Sequence, residues 1–207
     1  MDGVNTTPMQ RIGILGGTFD PPHIGHMILG EYSAEALDLD TLLFLPAADP
    51  PHKQERYKTP VQHRLAMVEI ALANNPRFQL SRVDIDRPGP HYSVDTVRIV
   101  REQYPDAEVY FVMGGDSLRD LGFWDRADEF IELCKLAVMR RPGDHVYAGI
   151  HEDVLPGISQ RIIMVDAPVL EISSSEIIHR IRQGMSVRYL VQDRVLAYIH
   201  EHGIYRE

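Results

Sequence analysis

Two histidines separated by two residues follow a glycine pair near the start of the chain. His23 and His26 stand in the string GGTFDPPHIGH, from Gly16 to His26. The apolar residues before the glycine pair predict a short buried strand, and the histidines fall in the predicted first turn of a helix that runs to about Leu37. Residues three apart share a helix face, so both imidazoles can point at one ligand.

An anion is the ligand that this arrangement favours. A helix N-terminus offers unpaired N–H groups and the positive end of the helix dipole, and a glycine loop lets phosphate oxygens approach them. A plain strand, turn and helix, or a pair of metal ligands, would also explain an isolated H-x-x-H. No third ligand stands at a familiar zinc spacing, and the GxxxxGK[ST] and strand-GxGxxG phosphate fingerprints are absent.

The GGTFDPxHxGH string resembles the first motif of the nucleotidyltransferase superfamily, which shares its HxGH signature with class I aminoacyl-tRNA synthetases. This resemblance implies adenylyl or cytidylyl transfer on a Rossmann-like fold. The short acidic chain has no KMSKS loop, which disfavours a synthetase.

Composition sets further bounds. A chain of 207 residues, 44% of them hydrophobic, can bury a core in one domain. We expect a single nucleotidyltransferase domain over residues 1–207, with a C-terminal helical part from about 171 packed on it. The lack of a long apolar run or a signal peptide predicts a soluble, cytoplasmic protein. The single Cys134 suits a reducing compartment, and a net charge of −9 argues against nucleic-acid or membrane partners.

Strands alternate with helices along the rest of the chain, which predicts an α/β Rossmann-like parallel sheet with helices on both faces. The predicted strands cover residues 12–15, 41–45, 78–85, 108–113, 135–139 and 161–165. The predicted later helices cover residues 60–74, 93–103, 171–183 and 193–202, and residues 144–160 read as loop with at most one short helix. Alternation in the fourth strand places Val109, Phe111 and Met113 on one face and Tyr110 and Val112 on the other.

Several polar residues follow strands or begin helices, where α/β sheets bind ligands. Lys53 closes a proline-rich loop after the second strand, and Ser93 is a predicted N-cap. Asp116 and the serines from Ser173 to Ser175 also begin helices, although capping alone would explain them. Trp124 is either a stacking surface or a core residue. A further basic residue, Arg64, reads as an ordinary helix charge.

Taken together, these segments resemble the bacterial nicotinate mononucleotide adenylyltransferases, which join that nucleotide to the adenylyl part of ATP and so make deamido-NAD. The resemblance spans nearly the whole chain. It is carried by GGTFDPPHIGH, PPHK (50–53), RLAM (64–67), GPHYSVDT (89–96), GGDSLRDLGFW (114–124), RRPG (140–143), ISSSEI (172–177) and YLVQDRVLAYI (189–199).

The resemblance implies roles at matching positions. It makes His23, His26 and Lys53 the catalytic residues. It assigns ATP to Gly16, Gly17, Thr18, His26, Asp116, Ser173, Ser174 and Ser175. It assigns nicotinate mononucleotide to Thr18, Lys53, Tyr92, Ser93 and Trp124. Mg²⁺ enters with ATP, and no protein ligand is assigned to it, although Asp116 is expected at the adenosine or metal side.

Three positions depart from the family pattern. His91-Tyr92-Ser93 stands where the family usually has S-Y-T, and Gln192 replaces a common proline. Ile178 occupies the position of a phosphate-binding arginine. Arg140, Arg180 and Arg182 are candidates to replace it.

The predicted reaction is direct attack by the acceptor phosphate on the α-phosphorus of ATP. A phosphate monoester has a second pKa near 6, so it is mostly ionised at neutral pH and needs no general base. We expect Mg²⁺, His23, His26, Lys53 and two helix N-termini to offset the repulsion between the two anions. Nicotinamide mononucleotide or 4′-phosphopantetheine as acceptor, or nucleotide binding without turnover, remain alternatives. A homo-oligomer is possible.

Overall fold

The computed structural model describes residues 9–48, 59–139, 146–168 and 170–206. Within these ranges the strands are β1 (Arg11–Gly17), β2 (Thr41–Pro46), β3 (Phe78–Leu80), β4 (Glu108–Gly114), β5 (Lys135–Met139) and β6 (Ile162–Val165). The α-helices are α1 (Ile24–Ala36), α2 (Val61–Leu72), α3 (Ser93–Gln103), α4 (Gly115–Asp120), α5 (Ala127–Leu133), α6 (Ser174–Arg182) and α7 (Asp193–Glu201). Short 3₁₀ helices cover Leu121–Phe123 and Ile158–Gln160.

The strands form one parallel sheet in the order β3-β2-β1-β4-β5-β6. The predicted Rossmann-like α/β fold is therefore confirmed. Gly17 pairs with Pro46 and Gly114 pairs with Met139, so these strands end at the same edge of the sheet. The chain winds outward in opposite directions from β1 and β4, which leaves a crevice at their carboxyl ends.

Each face of the sheet carries its own apolar cluster, as the alternation in β4 predicts. Val109, Phe111 and Met113 join residues of α3 and α5 in the first cluster. Tyr110 and Val112 join residues of α1 and α2 in the second cluster. A strand covered on both faces explains why β4 is almost continuously apolar.

Helix α1 lies unusually close to the sheet at Gly30. A methyl group added there would lie 2.9 Å from the ring of Phe44, 3.0 Å from Phe78 and 3.1 Å from Leu42. The close approach fixes the height of α1 on the sheet. It thereby fixes where the first turn of α1 meets the sheet edge.

Two local predictions are wrong. The third strand ends at Leu80 rather than at residue 85, because the buried Asp84 accepts hydrogen bonds from Arg87 and Thr96 and the segment turns instead. Ser93 is the first residue of α3 and not its N-cap; Tyr92 occupies the N-cap position.

A third apolar cluster joins α2 to the C-terminal part of the chain. Its buried members are Met67 and Ala71 of α2, with Ile177, Val187, Val191, Val195, Ile199 and Ile204. Helices α6 and α7 therefore cover α2 beside the edge where β1 ends. None of the helices in the described ranges is long and apolar enough to span a bilayer.

Candidate active site

The two early histidines form a stacked pair at the start of α1. Their ring centroids lie 3.7 Å apart with an angle of 25° between the planes. His23 is the N-cap residue, and its backbone N–H donates to Nδ1 of His26 at 3.2 Å. A methyl group added at Gly25 would lie 3.1 Å from the His23 ring. The intervening glycine therefore leaves room for the two imidazoles to stack.

Both histidines are neutral at pH 7. Burial lowers the pKa of His23 to about 4. Burial, and then the neighbouring His23, lower the pKa of His26 to about 3. Because Nδ1 of His26 accepts a backbone N–H, the proton of its neutral ring lies on Nε2. His26 therefore offers a hydrogen-bond donor rather than a positive charge.

One polar atom of this pair has no partner. Nδ1 of His23 is buried and makes no hydrogen bond within the described part of the chain, and the whole residue is only 8% exposed. Buried polar atoms in folded proteins almost always have partners. The His23 side chain faces the backbone N–H of His26 across the first turn of α1, which is the donor that lies towards this atom.

The glycine pair at the end of β1 has two different surroundings. A methyl group at Gly17 would lie 2.9 Å from the ring of Phe19, and that buried ring meets His26 edge-on with centroids 4.9 Å apart. Gly17 therefore permits the packing beneath His26. Gly16 is exposed, so its backbone is the part of the pair that a phosphate can reach.

The triple-serine turn lies directly against the loop between β1 and α1. The Ser174 hydroxyl donates to the Pro21 carbonyl at 2.9 Å. Ser173 caps α6 by accepting from the backbone N–H of Glu176 at 3.2 Å, while Ser175 is exposed. The predicted proximity of the serines to the histidine loop is therefore found.

The first turn of α1 has fewer free amides than expected. The backbone N–H of Ile24 donates to the Leu190 carbonyl at 2.9 Å. The segment between α6 and α7 thus satisfies one of the N–H groups that was expected to face an anion. Side chains must then supply more of the hydrogen bonding at this edge.

Asp116 lies at the end of β4, across the crevice from the β1 loop. It is exposed in the first turn of α4 and pairs with Arg119, one turn further on. Capping does not explain its position, because the N-cap is Gly114. A carboxylate paired with Arg119 therefore lies at the point where the strand order reverses.

Tyr92 and Trp124 both pack against the first apolar cluster, on the face that carries α3 and α5. Trp124 is half-buried, and its ring centroid lies 5.4 Å from that of Phe130. The Arg126 guanidinium lies 5.7 Å from the Tyr92 ring centroid and donates to both carboxylate oxygens of Asp95, at 2.9 and 2.8 Å. The Arg126 hydrogen bonds lower the pKa of Asp95. The two aromatic side chains therefore have firm support, with part of each surface exposed.

Arg64 is a buried part of this site whose role its sequence context did not indicate. This residue is only 2% exposed, so its interpretation as an ordinary helix charge is wrong. Its guanidinium donates to the carbonyls of Thr18, Ala47 and Thr59 at 3.0, 2.9 and 3.2 Å. The only signal in the sequence is its place in RLAM, beside core residues of α2.

Some predicted site residues lie outside the described ranges, and others point away from the serine turn. Lys53 and Arg140 lie outside them. Arg180 donates from Nε to the Ser186 carbonyl at 3.0 Å, towards the end of α6 that is remote from the serine turn, and Arg182 is exposed. No group of three His, Cys, Asp or Glu within the described ranges could hold a metal ion.

Comparison with known proteins gives concordant matches. The cytidylyltransferase-like family model matches residues 14–180. A probable nicotinate-nucleotide adenylyltransferase of Thermomicrobium roseum is 46% identical over 198 residues, covering 96% of this chain and 92% of that protein. A protein of the same description from Lactiplantibacillus plantarum is 40% identical over 205 residues, covering 99% of this chain and 92% of that protein.

Solved structures share the fold. Plasmodium falciparum nicotinic acid mononucleotide adenylyltransferase complexed with NaAD aligns with a TM-score of 0.78 at 18% identity, covering 95% of this chain and 97% of that one. The same enzyme complexed with APC aligns with a TM-score of 0.76 at 19% identity, with the same coverage.

Proposed function

The chain belongs to the nicotinate-nucleotide adenylyltransferases of the cytidylyltransferase-like family, and we propose that it transfers the adenylyl group of ATP to nicotinate mononucleotide. The products are deamido-NAD and pyrophosphate. The observation that carries the proposal is the contact between Ser174 and Pro21. It joins the two motifs assigned to the ATP phosphates at one edge of the sheet.

The reaction needs alignment more than it needs a base. A phosphate oxygen of nicotinate mononucleotide attacks the α-phosphorus of ATP, and the bond from that phosphorus to the oxygen bridging it to the β-phosphate breaks as pyrophosphate leaves. The attacking phosphate is already mostly ionised at neutral pH. The protein must therefore hold two anions in line and stabilise the charge that develops on the phosphoryl oxygens.

His26 is proposed to stabilise that charge through Nε2–H. Its neutral ring is fixed by the backbone of His23 and by the Phe19 ring, so it is held in place before substrate binds. A fixed donor loses little on reaching the transition state. His23 is proposed to line the same phosphate path, together with Thr18 and the exposed backbone of Gly16.

The two ends of the crevice are proposed to hold different substrates. Gly16, Asp116 and the Ser173–Ser175 turn take ATP. Tyr92, Ser93 and Trp124 take the pyridine nucleotide, where the exposed parts of the two aromatic rings can pack against a flat heterocycle. Lys53 is proposed to reach the phosphates.

Mg²⁺ is proposed to accompany ATP. This cation is commonly held by substrate phosphates, water and one or two carboxylates, so it needs no cage of protein ligands. Asp116 provides an exposed carboxylate at the correct edge, which fits such binding. The metal would supply charge neutralisation on the phosphates.

Pyrophosphate release from ATP tests the proposal when it is measured with one acceptor at a time. We expect kcat/KM for nicotinate mononucleotide to exceed the values for nicotinamide mononucleotide and 4′-phosphopantetheine. His26→Ala should abolish most of the turnover, and His200→Ala, which changes an exposed histidine of α7, should not. A preference for another acceptor, or ATP binding without turnover on any of them, would refute the assignment.

A further inference from the structure

Arg64, Asp20 and Tyr205 form a buried polar network beneath the loop between β1 and α1. Arg64 donates to three carbonyls, which belong to three separate segments. Thr18 follows β1, Ala47 follows β2, and Thr59 precedes α2. A buried guanidinium needs such partners, because it loses its hydration when it leaves water. Its position therefore fixes these three segments relative to one another.

Asp20 adds a second set of hydrogen bonds to the same segments. Its carboxylate is 7% exposed. One oxygen accepts from the backbone N–H of Thr59 at 3.0 Å, and the other accepts from the Tyr205 hydroxyl. Burial lowers the pKa of the Arg64 guanidinium, and the negative charge of Asp20 acts in the opposite direction. The carboxylate and the guanidinium thus bond to the same residue, Thr59, the first through its N–H and the second through its carbonyl.

Tyr205 reaches this network from the last turn of the chain. Gly203 and Tyr205 both have positive φ, at 62° and 68°, and Ile204 between them is buried. The chain therefore turns back after α7 and brings the phenol to a loop 185 residues earlier in the sequence. Burial, and then the charge of Asp20, raise the pKa of the Tyr205 phenol, so its hydroxyl remains a donor.

We propose that Tyr205 and Arg64 are positioning residues for adenylyl transfer, which hold the Thr18–His26 loop in its reactive geometry, Tyr205 through Asp20 and Arg64 through the Thr18 carbonyl. This inference rests on the proposed function. Asp20 lies two residues after Thr18 and three before His23, so a shift of Asp20 moves both residues of the phosphate path. A tyrosine near the C-terminus thereby controls the alignment of two phosphates without touching either.

Tyr205→Phe tests the proposal, with Tyr198→Phe as a matched control. Both changes remove a phenol hydroxyl from the same end of the chain. The Tyr198 hydroxyl bonds instead to Nδ1 of His63, on α2, at 2.9 Å. We expect Tyr205→Phe to lower kcat about tenfold, because a small misplacement of reacting groups is costly, while each KM changes less than about threefold. Tyr198→Phe should retain the wild-type kcat.

Two further measurements separate positioning from general loss of structure. Amide hydrogen exchange in a peptide spanning residues 18–26 should become faster in Tyr205→Phe than in Tyr198→Phe, at a temperature where both are folded. Arg64→Lys keeps the charge but loses the planar fork of donors, and should lower kcat in the same way.

Unchanged exchange in that peptide, or faster exchange with wild-type kcat, would overturn the inference. The proposed function is judged separately, from the acceptor preference of the wild-type protein. A wild-type enzyme that uses nicotinate mononucleotide, with a Tyr205→Phe variant of equal kcat, would therefore refute the positioning role and leave the function intact.

Discussion

The backbone N–H of His23 donates to Nδ1 of His26, so the main chain at the first histidine determines which nitrogen of the second carries its proton. The same two rings stack on each other and are buried enough to remain neutral. The pair therefore acts as a rigid set of hydrogen-bonding groups and not as two positive charges.

Replacing His26 by Gln should preserve more activity than replacing it by Asn. The amide nitrogen of Gln can reach the position of Nε2, whereas that of Asn reaches only the position of Nδ1. Loss of one donor to a transition state commonly lowers kcat about 100-fold or more. We expect that loss in His26→Ala and His26→Asn, with a smaller loss in His26→Gln. Steady-state kcat and KM for both substrates provide the measurement.

The KM values separate this role from simple binding. An interaction that strengthens only in the transition state lowers kcat and leaves KM nearly unchanged. Equal kcat values for the Gln and Asn variants, or an Ala variant within a few-fold of wild type, would contradict the assigned role.

Stability should fall as the pH is lowered from about 6.5 towards 4. An unfolded histidine titrates near 6.5, whereas burial lowers the pKa of His23 to about 4 and that of His26 to about 3. Between these values the unfolded chain binds protons that the folded chain does not, so acidification favours unfolding. We expect the two groups together to lose about 5 kcal/mol, at about 1.4 kcal/mol per pH unit for each, as measured by urea denaturation across this range.

The variant with both His23→Asn and His26→Asn serves as the comparison for that measurement. It lacks the two depressed pKa values, so its free energy of unfolding should depend less steeply on pH in the same window. An identical slope in the variant and the wild type would show that these rings do not cause the acid sensitivity.

Trp124→Ala should weaken the pyridine nucleotide more than ATP. The half-buried ring rests on Phe130 and Phe111, and its remaining surface is available for stacking, which contributes about 1 kcal/mol or more per aromatic pair. We expect KM for nicotinate mononucleotide to rise roughly tenfold, with KM for ATP nearly unchanged. Trp124→Phe keeps a flat ring and should lose less. Equal losses for both substrates would argue against the assignment.

Gly30→Ala should destabilise the fold although alanine is the better helix former. Alanine gains about 1 kcal/mol over glycine from helix propensity, but overpacking a core typically costs about 1–3 kcal/mol. The added methyl would lie 2.9 Å from Phe44, so the packing cost should exceed the gain. Thermal unfolding should show a lower Tm. Gly149→Ala, whose methyl would meet Tyr147 at 3.5 Å, should have little effect, and equal Tm values for the two variants would refute this explanation.

The local patterns of the sequence were sufficient for most of the fold. Alternation in β4 correctly divided Val109 and Phe111 from Tyr110 and Val112, because a strand presents successive side chains to opposite faces. The bounds of β5 and α3 agree with the structure for a related reason, since flanking turn residues end each apolar run. The predicted end of the third strand was wrong because residues further along the chain donate hydrogen bonds to Asp84 and turn the segment away from the sheet.

By itself, the sequence determined the order of strands and helices, the HxGH pair and the resemblance to a nucleotidyltransferase, since these depend on neighbouring residues. Only the tertiary structure decided that the histidines are neutral, that Arg64 is buried, and that Tyr205 reaches Asp20. Protonation depends on burial by segments distant in sequence. A hydrogen bond across 185 residues depends on how the chain returns to its first loop, and no local pattern encodes that return.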